Sequence, residues 1–193
     1  MSDQQTSVLE LFRRRTLALA QEHGLTAEMV DVVSARPLTP EEAIGKPDRG
    51  DFPILKGKEL MMEARFRGSR GQAFTSMPGE FQGTVEEALA RRFETDFDRA
   101  LVVATGNALL AHLGVAGTTV HCRDEGPKQC AAGIVEHVRL HYGKPKIAFV
   151  GFQPALIEAL AREFDMRVTD MDPANVGQAR LGVTIEGPEN TAA

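Results

Sequence analysis

The pattern of apolar and polar positions is clearest between residues 144 and 172. The apolar run Ile147–Val150 is short and is bounded by turn-forming glycine and proline, which is typical of a buried parallel strand. Residues 153–164 then change to helical spacing, with apolar side chains on one face and charged side chains on the other. Residues 166–170 are predicted to form a second short strand that ends in an acid. This order predicts a strand, a crossover helix and a parallel strand, which is a βαβ unit.

The residues before this unit predict a mixture of helices and strands. The first part favours an amphipathic helix over 7–23, a strand over 29–33, a helix opened by a capping box at Thr39 and a β-hairpin over 59–77. The residues that follow favour a helix from a capping box at Thr84 to Phe93, a buried helix over 98–113, a strand over 118–122 and a helix over 127–142. The expected fold class is therefore α/β. A small α+β domain is expected at residues 1–105, followed by a parallel domain at 106–193. The second domain is expected to be incomplete, because the chain ends soon after its second well-marked strand.

Composition narrows the function classes. The chain has 193 residues, 42% of them hydrophobic, and a net charge of −5 from 22 basic and 27 acidic residues. No basic stripe with interleaved aromatic residues is present, which argues against nucleic acid as the main partner. Because no apolar run of about 18 residues and no signal-peptide pattern occurs, we expect a cytoplasmic protein that does not insert into membranes. The two cysteines are expected to be thiols.

Polar residues follow both predicted parallel strands. Gly151 and Gln153 come after the first strand, and Asp170 and Asp172 come after the second. Because ligands gather where the carboxyl ends of parallel strands meet helix amino ends, these four residues are candidates for a small-molecule site. Asp170 lies about 20 residues after the glycine, where a dinucleotide fingerprint places its ribose-binding acid, although that fingerprint has three glycines. The alternative is that Gly151 only closes a tight turn and Asp170 only ends a strand.

The predicted buried helix supplies two weaker ligand candidates. Thr105 and Asn107 flank Gly106, a position that implies close packing or backbone contact with a ligand. The same two side chains would otherwise satisfy backbone groups. No Ser-His-Asp order, HExxH or P-loop motif is present, so hydrolase and NTPase functions have no motif behind them.

Cysteine and histidine recur in one segment as Cys122, Cys130, His137 and His141. This spacing matches no standard zinc module, and Cys130 lies about two helical turns, roughly 10 Å, from His137, which is too far for one ion. The two histidines are one helical turn apart and could chelate an ion, or could pair with the helix dipole. Cys122 and Cys130 are better candidates for a shared metal ion. A short turn separates them, and the first turns of a helix lower the pKa of a thiol. If the two thiols act as a pair, they could bind a soft metal ion or be oxidised reversibly. The alternative is that they are independent reduced thiols and that Cys130 lies partly in the core.

Seven segments together resemble the heavy-metal-chelation family, a domain family of unknown function. They are residues 41–45 (EEAIG), 51–59 (DFPILKGKE), 71–75 (GQAFT), 104–108 (ATGNA), 120–130 (VHCRDEGPKQC), 151–155 (GFQPA) and 168–173 (VTDMDP). The resemblance covers most of residues 35–187, and its specificity lies in the ordered set. It implies a small amino-terminal domain like that of enolase beside a Rossmann-like domain. The resemblance implies that members of the family continue, past the point where this sequence ends, with another acid-ended strand.

The expected function is a metal- or small-molecule-binding protein. The resemblance implies a link to anaerobic cobalamin metabolism and a transition or heavy metal ion as the bound species, with no established catalytic residue. Cys122 and Cys130 are the candidate metal ligands. The first alternative is an enzyme that uses a nucleotide or S-adenosylmethionine at residues 151–172, and the second is a non-catalytic assembly subunit. A second copy of the chain, forming a homodimer, is one way to cover the apolar surface of an incomplete sheet.

Overall fold

A computed structural model describes residues 7–33, 40–56 and 60–191 of the chain. These residues divide into two units. The first unit contains residues 7–33, 40–43 and 60–121, and the second contains 44–56 and 122–191. Helices and strands occur together in both, so the α/β class expected from the sequence is confirmed. Within the described residues, no helix has the length and apolarity that crossing a bilayer requires.

The first unit packs helices on an antiparallel sheet. Its elements are α1 (Val8–Glu22), β1 (Met29–Val33), α2 (Pro40–Ile44, whose last residue begins the second unit), β2 (Leu60–Phe66), β3 (Ser69–Thr75), β4 (Phe81–Thr84), α3 (Val85–Leu89) and α4 (Asp96–His112). The strand order is β3-β2-β1-β4. Met62, Ala64 and Phe66 alternate along β2 and enter the core that α1, α3 and α4 cover.

Glycine permits the closest approach between α4 and the sheet. A Cβ atom built on Gly71 of β3 would lie 2.2 Å from the Ala108 amide nitrogen and 2.4 Å from the Ala104 carbonyl oxygen. Both are backbone atoms of α4, so they cannot move aside as a flexible side chain can. Gly106 of α4 faces α1 instead of the sheet, and a Cβ atom added to it would lie 2.5 Å from the Phe12 ring. The glycine that the sequence marked for close packing therefore packs against α1.

The second unit contains the predicted βαβ unit and extends its sheet. Its elements are α5 (Gly126–Tyr142), β5 (Ile147–Val150), α6 (Pro154–Ala161), β6 (Met166–Thr169), β7 (Ala179–Arg180) and β8 (Val183–Glu186), with short 3-10 turns at Pro53–Lys56 and Pro188–Asn190. The strand order is β5-β6-β8-β7, in which β5, β6 and β8 are parallel and β7 is antiparallel. The parallel pairing of β5 with β6 confirms the predicted crossover.

The two faces of this sheet differ in chemistry. Phe149, Val168 and Ile185 share one face and pack with Phe152 and Ile157 in the core of the unit. The opposite face carries an ion pair between Arg167 and Glu186 and a shallow depression of about 350 Å³. Val150 lies in this depression with 66% of its surface exposed. One face of the sheet thus packs in the core, whereas the other combines an ion pair with an exposed apolar side chain.

The Ile44–Lys56 segment joins the second unit although the first unit flanks it in sequence. The Asp124 amide donates to the Ile44 carbonyl at 2.8 Å, and the Lys46 amide donates to Asp124 Oδ1 at 2.8 Å. Arg49 donates to both carboxylate oxygens of Asp51 and, at 2.7 Å, to Glu158 of α6. These hydrogen bonds raise the pKa of the Arg49 guanidinium, with Asp51 as the main cause. Hydrogen bonds from this segment thus reach both Asp124 and α6.

Four sequence expectations differ from the structure. In the described part of the chain residues 118–122 form no strand, and the Gln72 amide of β3 donates to the Thr119 carbonyl at 3.0 Å. The helix predicted to reach Phe93 ends at Leu89. The sheet of the second unit does not stop at two strands, since β8 and β7 extend it. The boundary predicted after residue 105 falls within α4, a continuous helix that belongs wholly to the first unit. The capping residue predicted at 39 lies outside the described residues.

Candidate functional site

The carboxyl ends of β5 and β6 meet at one edge of the second sheet. Gly151 follows β5 directly, and its amide donates to the Thr169 carbonyl at 2.7 Å. Its φ angle is +94°, a conformation that side chains other than hydrogen rarely tolerate. A Cβ added at Gly151 would meet nothing within 4 Å. Glycine is therefore required here by the backbone turn, and it leaves open space above its Cα atom.

The first turn of α6 lies next to this glycine. Gln153 occupies the N-cap position, where serine, threonine, aspartate or asparagine would bond the free amides, and its side chain makes no such bond. Pro154 fills the first helical position, which needs no amide. Gln153 is exposed, as expected for a residue at the rim of a site. The amino end of α6 therefore presents polar groups and a partial positive charge to this edge.

Asp170 holds its own loop in place. Its Oδ1 accepts from the Met171 amide at 2.7 Å, and its Oδ2 accepts from Asn175 Nδ2 at 2.6 Å. Asp172 acts similarly, since its Oδ1 accepts from the Ala174 amide at 3.0 Å. Both carboxylates stabilise the turn that follows β6. These hydrogen bonds support the structural alternative that the sequence left open, in which Asp170 only ends a strand.

Arg180 was not found from the sequence, although it brings a cation to the same loops. Its Nη1 donates to Asn175 Oδ1 at 3.1 Å, and its guanidinium carbon lies 5.8 Å from the centroid of the Phe152 ring. Phe152 is in the loop between β5 and α6. Arg180 belongs to the two-residue strand β7, and no local motif marks so short an element. Only its place after the Asp170 loop could have drawn attention to it.

Cys122 and Cys130 lie on the same side of the first turn of α5. A Cβ built on Gly126 would lie 3.2 Å from Cys122 Cβ and 4.0 Å from its Sγ. Cys130 is one helical turn beyond Gly126 and shares its face, where Cβ atoms are about 5–6 Å apart. Both residues are thiols rather than a disulfide. Cys130 is exposed, so the alternative that places it partly in the core is wrong.

Histidines occupy the same helix two turns later. His137 and His141 are both exposed, and their ring centroids are 4.3 Å apart with planes inclined at 45°. Tyr142 lies beside them, with its ring centroid 6.5 Å from that of His137. Within the described residues, no three or more His, Cys, Asp or Glu side chains form a group that could hold a metal ion. The thiols and the imidazoles are therefore separate pairs.

Thr105 and Asn107 belong to the first unit. Asn107 donates from Nδ2 to the Gln72 carbonyl at 2.9 Å, which ties α4 to β3. Thr105 is fully buried, and within the part of the chain that the structure describes its hydroxyl oxygen has no hydrogen-bond partner. The contacts at Asn107 favour the structural role that the sequence left open.

Comparison with known proteins adds no family to this description. No family model, no curated protein and no solved structure matches the chain.

Proposed function

We propose that this chain is a metal- or small-molecule-binding protein whose organic ligand carries an acidic group and binds at the carboxyl edge of β5 and β6. The observation that carries the proposal is the amino end of α6, which has no capping side chain and follows a glycine with open space above it. Amides at a helix amino end favour negative charge. Arg180 supplies a cation to the same loops. The finer fold that we propose for this unit is Rossmann-like, beside a first unit like the enolase amino-terminal domain.

The thiol pair supports the metal-binding part of the proposal. Cys122 lies against the first turn of α5 and Cys130 lies one turn further along the same face. Thiolates are the ligands that soft cations prefer. Two thiols alone leave coordination positions open, so an ion held here would be exchangeable. This behaviour fits a protein that carries or transfers a metal, as the resemblance to the heavy-metal-chelation family implies.

Nucleotide-dependent catalysis is a weaker proposal on this geometry. A ribose-binding acid must offer its oxygens to the ligand, whereas both oxygens of Asp170 accept hydrogen bonds from residues 171 and 175 of its own loop. The edge is therefore better suited to an acidic group at α6 than to a ribose at β6.

Binding can be tested by thermal unfolding with inorganic phosphate, nucleotides and dicarboxylates, and by Cd²⁺ titration followed through thiolate absorbance. A ligand at 100 times its Kd should stabilise the native state by about 2.7 kcal/mol. Gly151→Ala should remove that stabilisation for the organic ligand, because a methyl group would occupy the open space. Gly143→Ala is the matched control, since Gly143 also has positive φ, at +71°, and equally open surroundings.

Both glycine variants should lose about 1–2 kcal/mol of intrinsic stability from backbone strain. Only Gly151→Ala should lose the response to ligand. Equal responses in the two variants would contradict a ligand at this edge, and so would the absence of any response across the acidic compounds in the parent chain.

A further inference from the structure

The exposed face of α5 carries an arrangement that the proposed function does not use. His137 and His141 are separated by four residues in a helix that continues to Tyr142. Side chains with this spacing lie one above the other on the same face. The ring centroids are 4.3 Å apart, which places the two imidazoles side by side at the surface. The helix backbone fixes their relative position, so little ordering is needed for both to bind one ion.

We propose that His137 and His141 form a bidentate site for a divalent first-row transition metal ion such as Ni²⁺, Cu²⁺ or Zn²⁺. Imidazole nitrogens bind Zn²⁺ at about 2.0–2.1 Å, which puts the centroids of two rings on one ion about 4.5–5 Å apart. The observed separation is 4.3 Å with rings inclined at 45°, so a small rotation of the side chains completes the geometry. Imidazole is a ligand that these three ions share.

The neighbouring charged groups leave this pair accessible. Glu136 and Arg139 form an ion pair with each other on the same two turns of the helix. Cys130 is about 10 Å away along the axis, too far to join the same ion. Because no third protein ligand completes the site in the described part of the chain, water fills the remaining positions. The ion is therefore held by a chelate of two ligands and exchanges readily.

This inference does not depend on the ligand edge or on the thiol pair. The thiols prefer soft cations such as Cd²⁺, whereas two imidazoles and water suit Ni²⁺. The variant Cys122→Ser with Cys130→Ser therefore separates the two sites. It should retain Ni²⁺ binding in full, even if the proposed function of the thiols is wrong.

The decisive experiment is calorimetric titration of the full chain with Ni²⁺, together with the electron paramagnetic resonance spectrum of its Cu²⁺ complex. The parent chain should bind one Ni²⁺ at the pair and show coupling to two imidazole nitrogens on Cu²⁺. His137→Gln and His141→Gln should each weaken Ni²⁺ binding at least about tenfold, since even the loss of a residue that only supports a ligand costs 10–100-fold in affinity. His23→Gln is the control, because His23 is exposed at the end of α1.

A second variant keeps the number of histidines and changes only their spacing. His141→Gln combined with Tyr142→His places the second imidazole five residues from the first, about 140° around the helix. This variant should bind Ni²⁺ as weakly as His141→Gln alone. The proposal is overturned if the respaced variant binds like the parent chain, if His137→Gln has no effect, or if the parent chain shows no Ni²⁺ binding at micromolar protein.

Discussion

The ion pair of Glu186 with Arg167 makes the stability of the second sheet depend on pH. Arg167 on β6 donates to both carboxylate oxygens of Glu186, at 3.0 and 2.7 Å. These hydrogen bonds hold the pKa of the Glu186 carboxyl below its usual value and raise that of the Arg167 guanidinium. A lowered folded-state pKa means that the unfolded chain binds the proton more readily. The pair therefore stabilises the fold above the ordinary glutamate pKa of about 4.3, and this contribution disappears as the pH falls through the lowered value.

Glu186→Gln should make unfolding less sensitive to acid. The parent chain loses the contribution of the pair as the pH falls from about 4.3 through the lowered pKa of Glu186, whereas the variant lacks it throughout. Urea midpoints measured across this range should fall less steeply with acid in the variant. Glu189→Gln is the control, because it removes the same charge from an exposed carboxylate, which accepts a hydrogen bond from Asn190 at 3.3 Å. Parallel pH profiles for Glu186→Gln and the parent chain would contradict the assignment.

At the scale of elements, β3 and α4 are so close that backbone atoms of α4 leave no room for a side chain at Gly71. Gly71 has no room for a Cβ atom, because the Ala104 carbonyl and the Ala108 amide of α4 lie within 2.4 Å of its position. Gly133 on α5 is the opposite case, an exposed helical glycine with nothing within 4 Å of an added Cβ. The same substitution should therefore have opposite effects at the two positions.

Gly71→Ala should lower the free energy of unfolding by about 3 kcal/mol, because it forces β3 and α4 apart in a packed core. Gly133→Ala should raise it by up to about 1 kcal/mol, because alanine has the higher helix propensity. Denaturant unfolding of both variants measures the two effects. If Gly71→Ala were as stable as the parent chain, the close approach of β3 to α4 would be wrong.

Strong local signals explain which elements the sequence predicts. The capping box from Thr84 to Glu87 marks the start of α3, and both of its reciprocal hydrogen bonds are present. A second capping box, from Thr95 to Asp98, places the start of α4 earlier than its apolar pattern does. The hairpin of β7 and β8 was missed because its turn, Leu181 and Gly182, has positive φ at a leucine, which sequence rules do not anticipate. Short strands with unusual turns remain hidden from local patterns.

The candidate site was predicted only in part, for a related reason. Gly151 and Gln153 could be located because they follow a buried run and precede a helix. Asp170 was found too, but its bonds to its own loop depend on Asn175, five residues on, and only the folded turn brings them together. Arg180 lies near the same loops only because β7 pairs with β8 in the folded sheet. Residues contributed by neighbouring strands are the ones that spacing in the sequence does not reveal.

At the scale of the whole molecule, the chain passes between the two units three times. It enters the second unit at Ile44, returns to the first after Lys56, and enters the second again at Cys122. Arg49 anchors the Ile44–Lys56 segment by bonding Asp51 within it and Glu158 of α6. The half-buried position of Arg49 makes these charge-assisted bonds worth more than those of a fully exposed pair.

Arg49→Ala should release the Ile44–Lys56 segment and cost about 1–2 kcal/mol of stability, because Glu158 and Asp51 lose their shared donor. Arg162→Ala is the matched control, since Arg162 also bonds Glu158 but from the C-cap position of α6 and with most of its side chain exposed. Thermolysin should cleave the Arg49→Ala chain within residues 44–56 faster than either the parent or the control. Equal cleavage rates in all three would show that other contacts hold the segment.

The separation of the Ile44–Lys56 segment from its contacts sets an order of events during synthesis. Its bonds reach Asp124, Lys128 and Glu158, which lie 78 to 109 residues away along the chain. At about 5–20 residues per second, the ribosome delivers those partners roughly 4 to 20 seconds after the segment has emerged. The first unit can collapse in that interval, while the segment is outside the exit tunnel without its partners from the second unit. A nascent chain halted after residue 121 should therefore expose residues 44–56 to chaperones, and completion of α6 is the step that withdraws them.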